Sequence, residues 1–481
     1  MNNAINKLEL SAFAFLGAVT IISLLAAFET GFSYFVLIPF ALLVIYTGIV
    51  NFKILYFVLL AASPLYMEYS FSPTLGTDLP DEPLMIGLMF VTFGYLLSNR
   101  KALPTGYFTH FIIVALLAHV LWILISAIYS VNPLISLKVF LAKIWYVTTF
   151  SFLSAIVLKT KADIKKAFWC IYIPLTLTIV QVLIRHSLTG FAFEEINYQM
   201  WPFYRNHVNY ASILSLFFPF ILLARGWYKK GSFTRFLLTF SLLFYIVAIY
   251  FSYTRTAYLA LLLIYPLYIV IQKKWMKPML AGIAIVATIL LINLFNRNNF
   301  LKYAPDFDTT IYHEDFGKHL SSTVEGKDLS SMERVYRWVA AVRMFKDHPW
   351  MGFGPGNFYP YYMHYTLSSF ETYVSDNPER STAHNYALFV LAEQGGVGLA
   401  IFLILTVVTL VYGEKIYHRM QDPDEKRITM TLLLVIMIVY INLMLSDMLE
   451  SDKVGPFFFM SLSLLVAFDI RRKSALKPQG K

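Results

Sequence analysis

The chain has 481 residues, of which 58% are hydrophobic, 17% aromatic and only 14% charged, against about a quarter charged in an ordinary soluble domain. A soluble enzyme is excluded, and a mean hydropathy of +0.61 places most of the chain in lipid. The net charge of +10 does not describe a nucleic-acid surface, because the basic residues fall mainly in short connections between apolar runs, where they set membrane orientation.

A spanning helix needs about 20 mostly apolar residues. On that template the sequence offers fourteen candidates, at 8–28, 33–50, 52–67, 84–98, 108–130, 134–158, 164–185, 209–226, 234–252, 255–272, 276–295, 386–412, 427–446 and 453–470. The first is long enough to span and lacks a convincing small-residue cleavage site, so it is expected to stay as a span rather than leave as a signal peptide. The third and fourth are short, and the join at Tyr253-Thr254 leaves almost no loop, which sets the expected number at 12–14. The predicted fold is an all-α polytopic membrane protein. Its parts are transmembrane helices over 1–296, one large extracytoplasmic loop over 297–383, C-terminal spans over 384–472 and a cytoplasmic tail over 473–481. The single cysteine, Cys170, excludes an intrachain disulfide and a thiolate zinc site.

Alternate connections differ sharply in charge. With a cytoplasmic N-terminus the inside segments total 24 Lys and Arg, whereas the outside segment 67–83 is purely acidic. Both termini are therefore expected inside. Two outside segments break the pattern: 185–208, with Arg185 and Arg205, and 297–383, with nine Lys and Arg. Long loops cross regardless of charge, and a structureless loop of that length is uncommon unless functional. Within it, Ser330-Ser331-Met332-Glu333 offers a capping-box start, and Val335, Trp338, Val339, Val342 and Phe345 recur at helical spacing before Pro349. This helix is expected to lay its apolar arc on the membrane surface or the bundle, with Arg334 at the edge of the arc and Arg337 beyond it.

Four stretches on the outer side hold the polar residues that could do chemistry: 203–211 (FYRNHVNYA), 251–261 (FSYTRTAYLAL), 333–358 and 381–399. Arg255 begins one apolar run and His384-Asn385 precedes another. Each has a plain structural reading beside the functional one. Arg255 could anchor a helix end to headgroups, Arg334 could be a solvated charge, and Asn385 could be only a helix cap. Arg205, with Asn206, His207 and Asn209, fits sugar or diphosphate binding and a polar turn equally. Lys143, near the middle of the sixth span, needs a cavity or a partner, for donor binding or for structural pairing. Gly352-Phe353-Gly354-Pro355-Gly356 is read as a turn, since no strand precedes it and no helix opens on it. Asp306, Asp308, Glu314 and Asp315 read as a solvated acidic loop, with His313 and His319 adding little, and no metal site is expected.

The ordered set of Ser/Thr-x-Thr-Arg before a span, Arg-x-x-x-Trp followed by Pro and Gly-x-Gly, and His-Asn with Glu-x-Gly after it resembles the O-antigen ligase and polymerase superfamily, over about residues 200–447. The resemblance implies a GT-C-like, metal-independent membrane glycosyltransferase without a cofactor, which takes a glycan from an undecaprenyl diphosphate carrier. It implies functional roles for Arg255, Arg334 and His384, and the short Leu445-Ser446-Asp447 match adds Asp447. Substrate contacts are expected from Arg205, Asn209, Arg337, Asn385, Lys143 and Asp447. The chemistry fits these residue types: guanidinium forks engage a departing diphosphate, and an imidazole can take the proton of an acceptor hydroxyl. The expected partners are a lipid-linked glycan donor, a lipid-linked or glycan acceptor and membrane lipid, with no nucleic acid, in a bacterial cytoplasmic membrane with the active site outside. Ligase-type transfer leads, and repeat-unit polymerisation is the alternative within the superfamily. A lipid-linked glycan flippase is the alternative of another class; no internal repeat supports it.

Overall fold

The computed structural model describes residues 2–31, 35, 37–72, 75–303, 329–366 and 382–475. The acidic residues at 306–315, with His313 and His319, lie outside them. Among the described residues ten helices are long and apolar enough to cross a membrane, and the only strands form one short hairpin, so the all-α polytopic reading holds. The chain divides into two compact units, Met1–Ala102 with Lys159–Thr176, and Leu103–Leu158 with Leu177–Lys481.

In the first unit, α1 (Asn2–Thr30) precedes α2 (Leu37–Ala62), and a hairpin of β1 (Met67–Ser72) and β2 (Leu75–Leu79) leads to α3 (Asp81–Ser98). The expected spans 33–50 and 52–67 are corrected here: they are one helix, α2, broken at Asn51 (φ −152°, ψ 74°). Lys53, expected in an inside connection, falls within that helix. Tyr56, Leu59 and Leu60 of α2 and Met85 and Leu88 of α3 are buried and form the core of this unit. The acidic connection is an antiparallel hairpin with Met67 opposite Leu79. Glu82 accepts from the Thr77 hydroxyl at 2.6 Å, and with Asp81 it places negative charge at the start of α3, where the helix dipole favours it.

The second unit holds α4 (Phe111–Ile128), α5 (Pro133–Val157), most of the latter half of α6 (Lys161–Leu188), the short α7 (Ile196–Met200), α8 (His207–Arg225), α9 (Phe233–Tyr250), α10 (Arg255–Lys273) and α11 (Met276–Phe295). They are followed by α12 (Leu329–Asp347), α13 (Phe358–Tyr361), α14 (Tyr386–Arg419), α15 (Pro423–Leu443) and α16 (Gly455–Ala475). Every residue of α16 from 455 to 470 is buried, as an all-round apolar helix requires. A π-helical turn at Thr148–Leu153 interrupts α5. Such a turn leaves carbonyls without their usual partners, and Ser463 of α16 donates to the Ser151 carbonyl at 2.6 Å.

The segment after α12 docks into a break in α14. Gly395 has φ +70° inside that helix, and a side chain there would strike the Trp350 carbonyl. The break frees helix carbonyls that the loop then uses: Phe353 N–H donates to Ala392 O at 3.0 Å and Gly354 N–H to Glu393 O at 2.7 Å. In return Gly396 N–H donates to Pro349 O at 2.8 Å. The glycine turn expected at 352–356 is present, with positive φ at all three glycines. Ser126, Ser130 and Ser136 of the α4–α5 corner donate to the carbonyls of Met351, Phe353 and Pro355 at 2.8, 3.1 and 2.7 Å. The buried Glu393 carboxylate accepts from Gly356 N–H and Phe358 N–H at 2.9 and 2.8 Å. This clamp fixes where α12 ends.

Candidate functional site

Helix α12 runs from Leu329 and stops before Pro349, near the expected bounds, but its buried face is not the arc read from the sequence. Of the expected arc Val339 is buried, but Val335, Trp338, Val342 and Phe345 are only half-buried, whereas Met332, Glu333, Tyr336, Arg337, Ala340, Ala341 and Met344 are buried. The helix packs on α14 of the bundle. Two alanines side by side permit a close approach there, and the charged residues on that face neutralise each other. The capping box expected at Ser330-Ser331 lies outside the described side chains.

Arg337 is therefore not an exposed guanidinium beyond the arc. It is 3% exposed, and its Nε and Nη2 donate to Glu333 Oε1 at 3.2 and 3.0 Å. Its Nη1 donates to the Thr382 carbonyl at 3.2 Å. One position on, Trp338 Nε1 donates to the Ala383 carbonyl at 3.0 Å. Consecutive residues of α12 thus hold the two residues before His384.

His384 itself has φ +50°, a left-handed conformation uncommon outside glycine. Asn385 caps α14 by accepting from Leu388 N–H at 3.1 Å. Burial, the Arg337 charge and the Arg334 charge, in that order, push the imidazole down to about 3. Neutral imidazole in the resting site is the form that can accept a proton. The same two charges show that Arg334, half-buried, shares the neighbourhood of the ring.

Asn385 reaches further. Its Nδ2 donates to the Met444 carbonyl at 3.1 Å, tying the His-Asn segment to the turn that carries Ser446 and the half-buried Asp447. Two residues earlier, Asn442 accepts from Ser212 of α8 at 3.2 Å. The end of α15 therefore touches both the α14 start and α8. At the start of α8, Asn206 accepts from Val208 N–H and Asn209 N–H at 3.1 and 3.0 Å, so the cap falls on Asn206 and Asn209 stands in the first turn. Thr254 Oγ1 donates to the His207 carbonyl at 3.3 Å, which brings the Thr254-Arg255 turn beside the Arg205–Asn209 segment. Arg255 is half-buried at the first position of α10, and Arg205 is exposed.

The expected residues fall into two groups. His384, Arg334, Arg337 and Asn385 form one, joined to the Asp447 turn. Arg255, Arg205 and Asn209 form the other. Lys143 is 2% exposed, with Nζ 5.5 Å from the Phe459 ring of α16. Sequence reading missed Lys453, which is 1% exposed with Nζ 5.1 Å from the ring of Tyr204, the neighbour of Arg205. It also missed the Glu333 partnership, although Glu four residues before Arg on a helix is a signal for such a pair. Among the described residues no group of three His, Cys, Asp or Glu could hold a metal ion.

Comparison with curated proteins finds no match to this chain. Comparison with family models matches residues 240–403 to the family described as O-Antigen ligase. That stretch holds Arg255, Arg334, Arg337, His384 and Asn385, and excludes Arg205, Asn209, Lys143 and Asp447. It covers roughly a third of the chain, and over that stretch the chain is similar to the O-antigen ligase family.

Proposed function

We propose that the protein transfers a glycan from a polyprenyl diphosphate carrier, of the undecaprenyl class, to an acceptor hydroxyl at the extracytoplasmic face of a bacterial cytoplasmic membrane. The observation that carries this reading is the placement of His384 beside Arg337 and Arg334 by hydrogen bonds from α12. The acceptor hydroxyl gives its proton to His384 as its oxygen attacks the anomeric carbon. The bond from that carbon to the diphosphate breaks on the opposite face, which inverts the centre. Arg334 and Arg255 hold the charge that develops on the leaving diphosphate. Arg337, engaged by Glu333 and Thr382, positions the His384 segment.

An imidazole held down to about 3 is a weak base in the empty site. The arriving diphosphate offsets the Arg334 charge and so weakens one of the three causes of that depression. The base strengthens when donor is bound, which couples proton transfer to the presence of the leaving group.

Ligase-type transfer is favoured by the hydrogen bond from Asn385 to the turn that resembles the Ser-Asp turn of ligases. Purified protein in liposomes given a polyprenyl diphosphate glycan tests the proposal. Transfer that requires a separate lipid or core acceptor supports a ligase, and polymer growth from donor alone makes the protein a polymerase. Carrier movement without glycosidic bond formation overturns the enzyme reading in favour of a flippase.

A further inference from the structure

The connection between α8 and α9 borders an open cleft of about 660 Å³, lined by Arg225, Lys230, Ser232, Arg235, Phe236 and Thr239. It lies at the end of α8 away from His207, roughly 28 Å along the helix at 1.5 Å per residue, so it is not part of the site described above. Its wall carries three cations and no acid. Both guanidiniums are fixed in place. Arg225 Nε donates to Thr239 Oγ1 at 2.9 Å, and Arg235 Nη1 donates to the Tyr228 carbonyl at 3.0 Å. Each bond occupies one arm of the fork, and among the described residues no carboxylate lies within ion-pair distance of Arg225, Lys230 or Arg235. Ser232 caps α9 by accepting from Arg235 N–H at 3.4 Å, so the first-turn N–H groups of that helix add positive potential to the same wall.

A stripe of exposed apolar residues begins at the rim. Phe233 and Phe236 are 78% and 68% exposed, and Phe240, Leu243, Val247 and Tyr250 continue at three- and four-residue intervals along one face of α9. The stripe runs from the cavity toward the opposite end of the bundle, as an acyl chain would. The tendency of inner connections to be basic accounts for the presence of Arg and Lys here. It does not account for a cleft with held guanidiniums at the head of an exposed apolar stripe.

We propose that this cavity binds the phosphodiester headgroup of an anionic membrane lipid, whose acyl chain lies along the Phe233–Tyr250 face. Arg225 and Arg235 engage the phosphate with their remaining N–H groups, as planar forks do, and Lys230 adds a mobile charge at the mouth. The stripe is what selects a lipid over free phosphate.

Native mass spectrometry of the detergent-solubilised full chain tests the assignment, with phosphatidylglycerol or phosphatidylcholine added at equal concentration. The wild type should retain phosphatidylglycerol at least fivefold better than phosphatidylcholine. The R225Q/K230Q/R235Q variant should lose that preference, and K230Q alone, at an exposed position that folding does not need, should lose part of it. Equal retention by wild type and both variants overturns the site. Displacement of the bound lipid by millimolar inorganic phosphate overturns the lipid assignment in favour of a free anion.

Discussion

The indole of Trp338 donates a 3.0 Å hydrogen bond to the carbonyl of Ala383, the residue immediately before His384. Replacing the indole with phenyl keeps an aromatic ring on α12 and removes the donor together with part of the ring volume. A net hydrogen bond is worth about 0.5–1.5 kcal/mol, and each 1.36 kcal/mol is tenfold in rate. Trp338→Phe is expected to lower glycan transfer by roughly 2–10-fold while membrane insertion and donor binding stay close to wild type, as measured by turnover against donor affinity. Unchanged turnover would show that the His384 segment holds its place without this bond.

Glu333 and Arg337 form an ion pair with both side chains under 10% exposed. Removing one partner of a buried pair costs about 3–5 kcal/mol, because the other charge stays behind in low dielectric. Glu333→Ala should therefore destabilise the α12 attachment more than Arg334→Ala does, and limited proteolysis of the connection between α11 and α14 should report the difference. The double variant Glu333→Ala/Arg337→Ala should recover part of the lost protection, since it leaves no unpaired charge.

The depressed His384 value fixes the sign of a pH effect. Its folded value, about 3, lies below the unfolded value near 6.5, so the free enzyme keeps a neutral imidazole throughout pH 5–8. The pH profile of kcat/KM, which reports the free enzyme, should show no acid limb from this residue near 6.5. Arg337→Gln or Arg334→Gln removes one of the lesser causes and should move the acid limb upward, though still below 6.5, because burial is the largest cause and remains. A downward shift would reverse the electrostatic assignment.

Gly395 places the α14 break where the Trp350 carbonyl passes. Alanine there meets both a positive φ and an overlap with the backbone, and should cost more than about 1 kcal/mol. Gly395→Ala is expected to lower the unfolding temperature in detergent and weaken transfer together, since the loop that ends α12 loses its seat. Gly282→Ala, where a side chain meets open space, is the control that should change neither.

The helices were legible because lipid demands long apolar runs. Arg255 and His384 were legible as helix-start residues flanking such runs. The side chains that organise the site were harder to read. Periodicity placed the α12 contact face on Val335, Trp338, Val339, Val342 and Phe345, of which Val339 is buried, since apolar spacing assumes that a buried face is apolar. The observed face buries Glu333 and Arg337 as a pair and uses Ala340 and Ala341 for close approach, which no hydrophobic pattern signals. Asn51 shows the opposite failure: a polar residue with Lys53 two positions on reads as a connection between spans, yet the helix passes through with a break. The hairpin at 67–79 was read only as an acidic segment, because its short strands carry no sustained alternation. Lys453 went unnoticed because a lysine in a turn is ordinarily solvated, and only the fold sets it against Tyr204.

Arg255 begins α10 and Arg334 lies on α12, and the proposal assigns both to the leaving diphosphate. Chelation bears on this division of labour: if guanidiniums alone carry the leaving charge, transfer should persist at wild-type rate in excess EDTA. Loss in EDTA with rescue by a divalent ion would move that role to a metal.

The most direct test of the account is glycosidic bond formation by wild type, Arg334→Ala and His384→Ala in liposomes holding the same amount of inserted protein and a polyprenyl diphosphate glycan with acceptor. The account predicts transfer by the wild type and a loss of about 100-fold or more in each variant, the scale of a missing general base or charge stabiliser. Transfer by all three at one rate would contradict it.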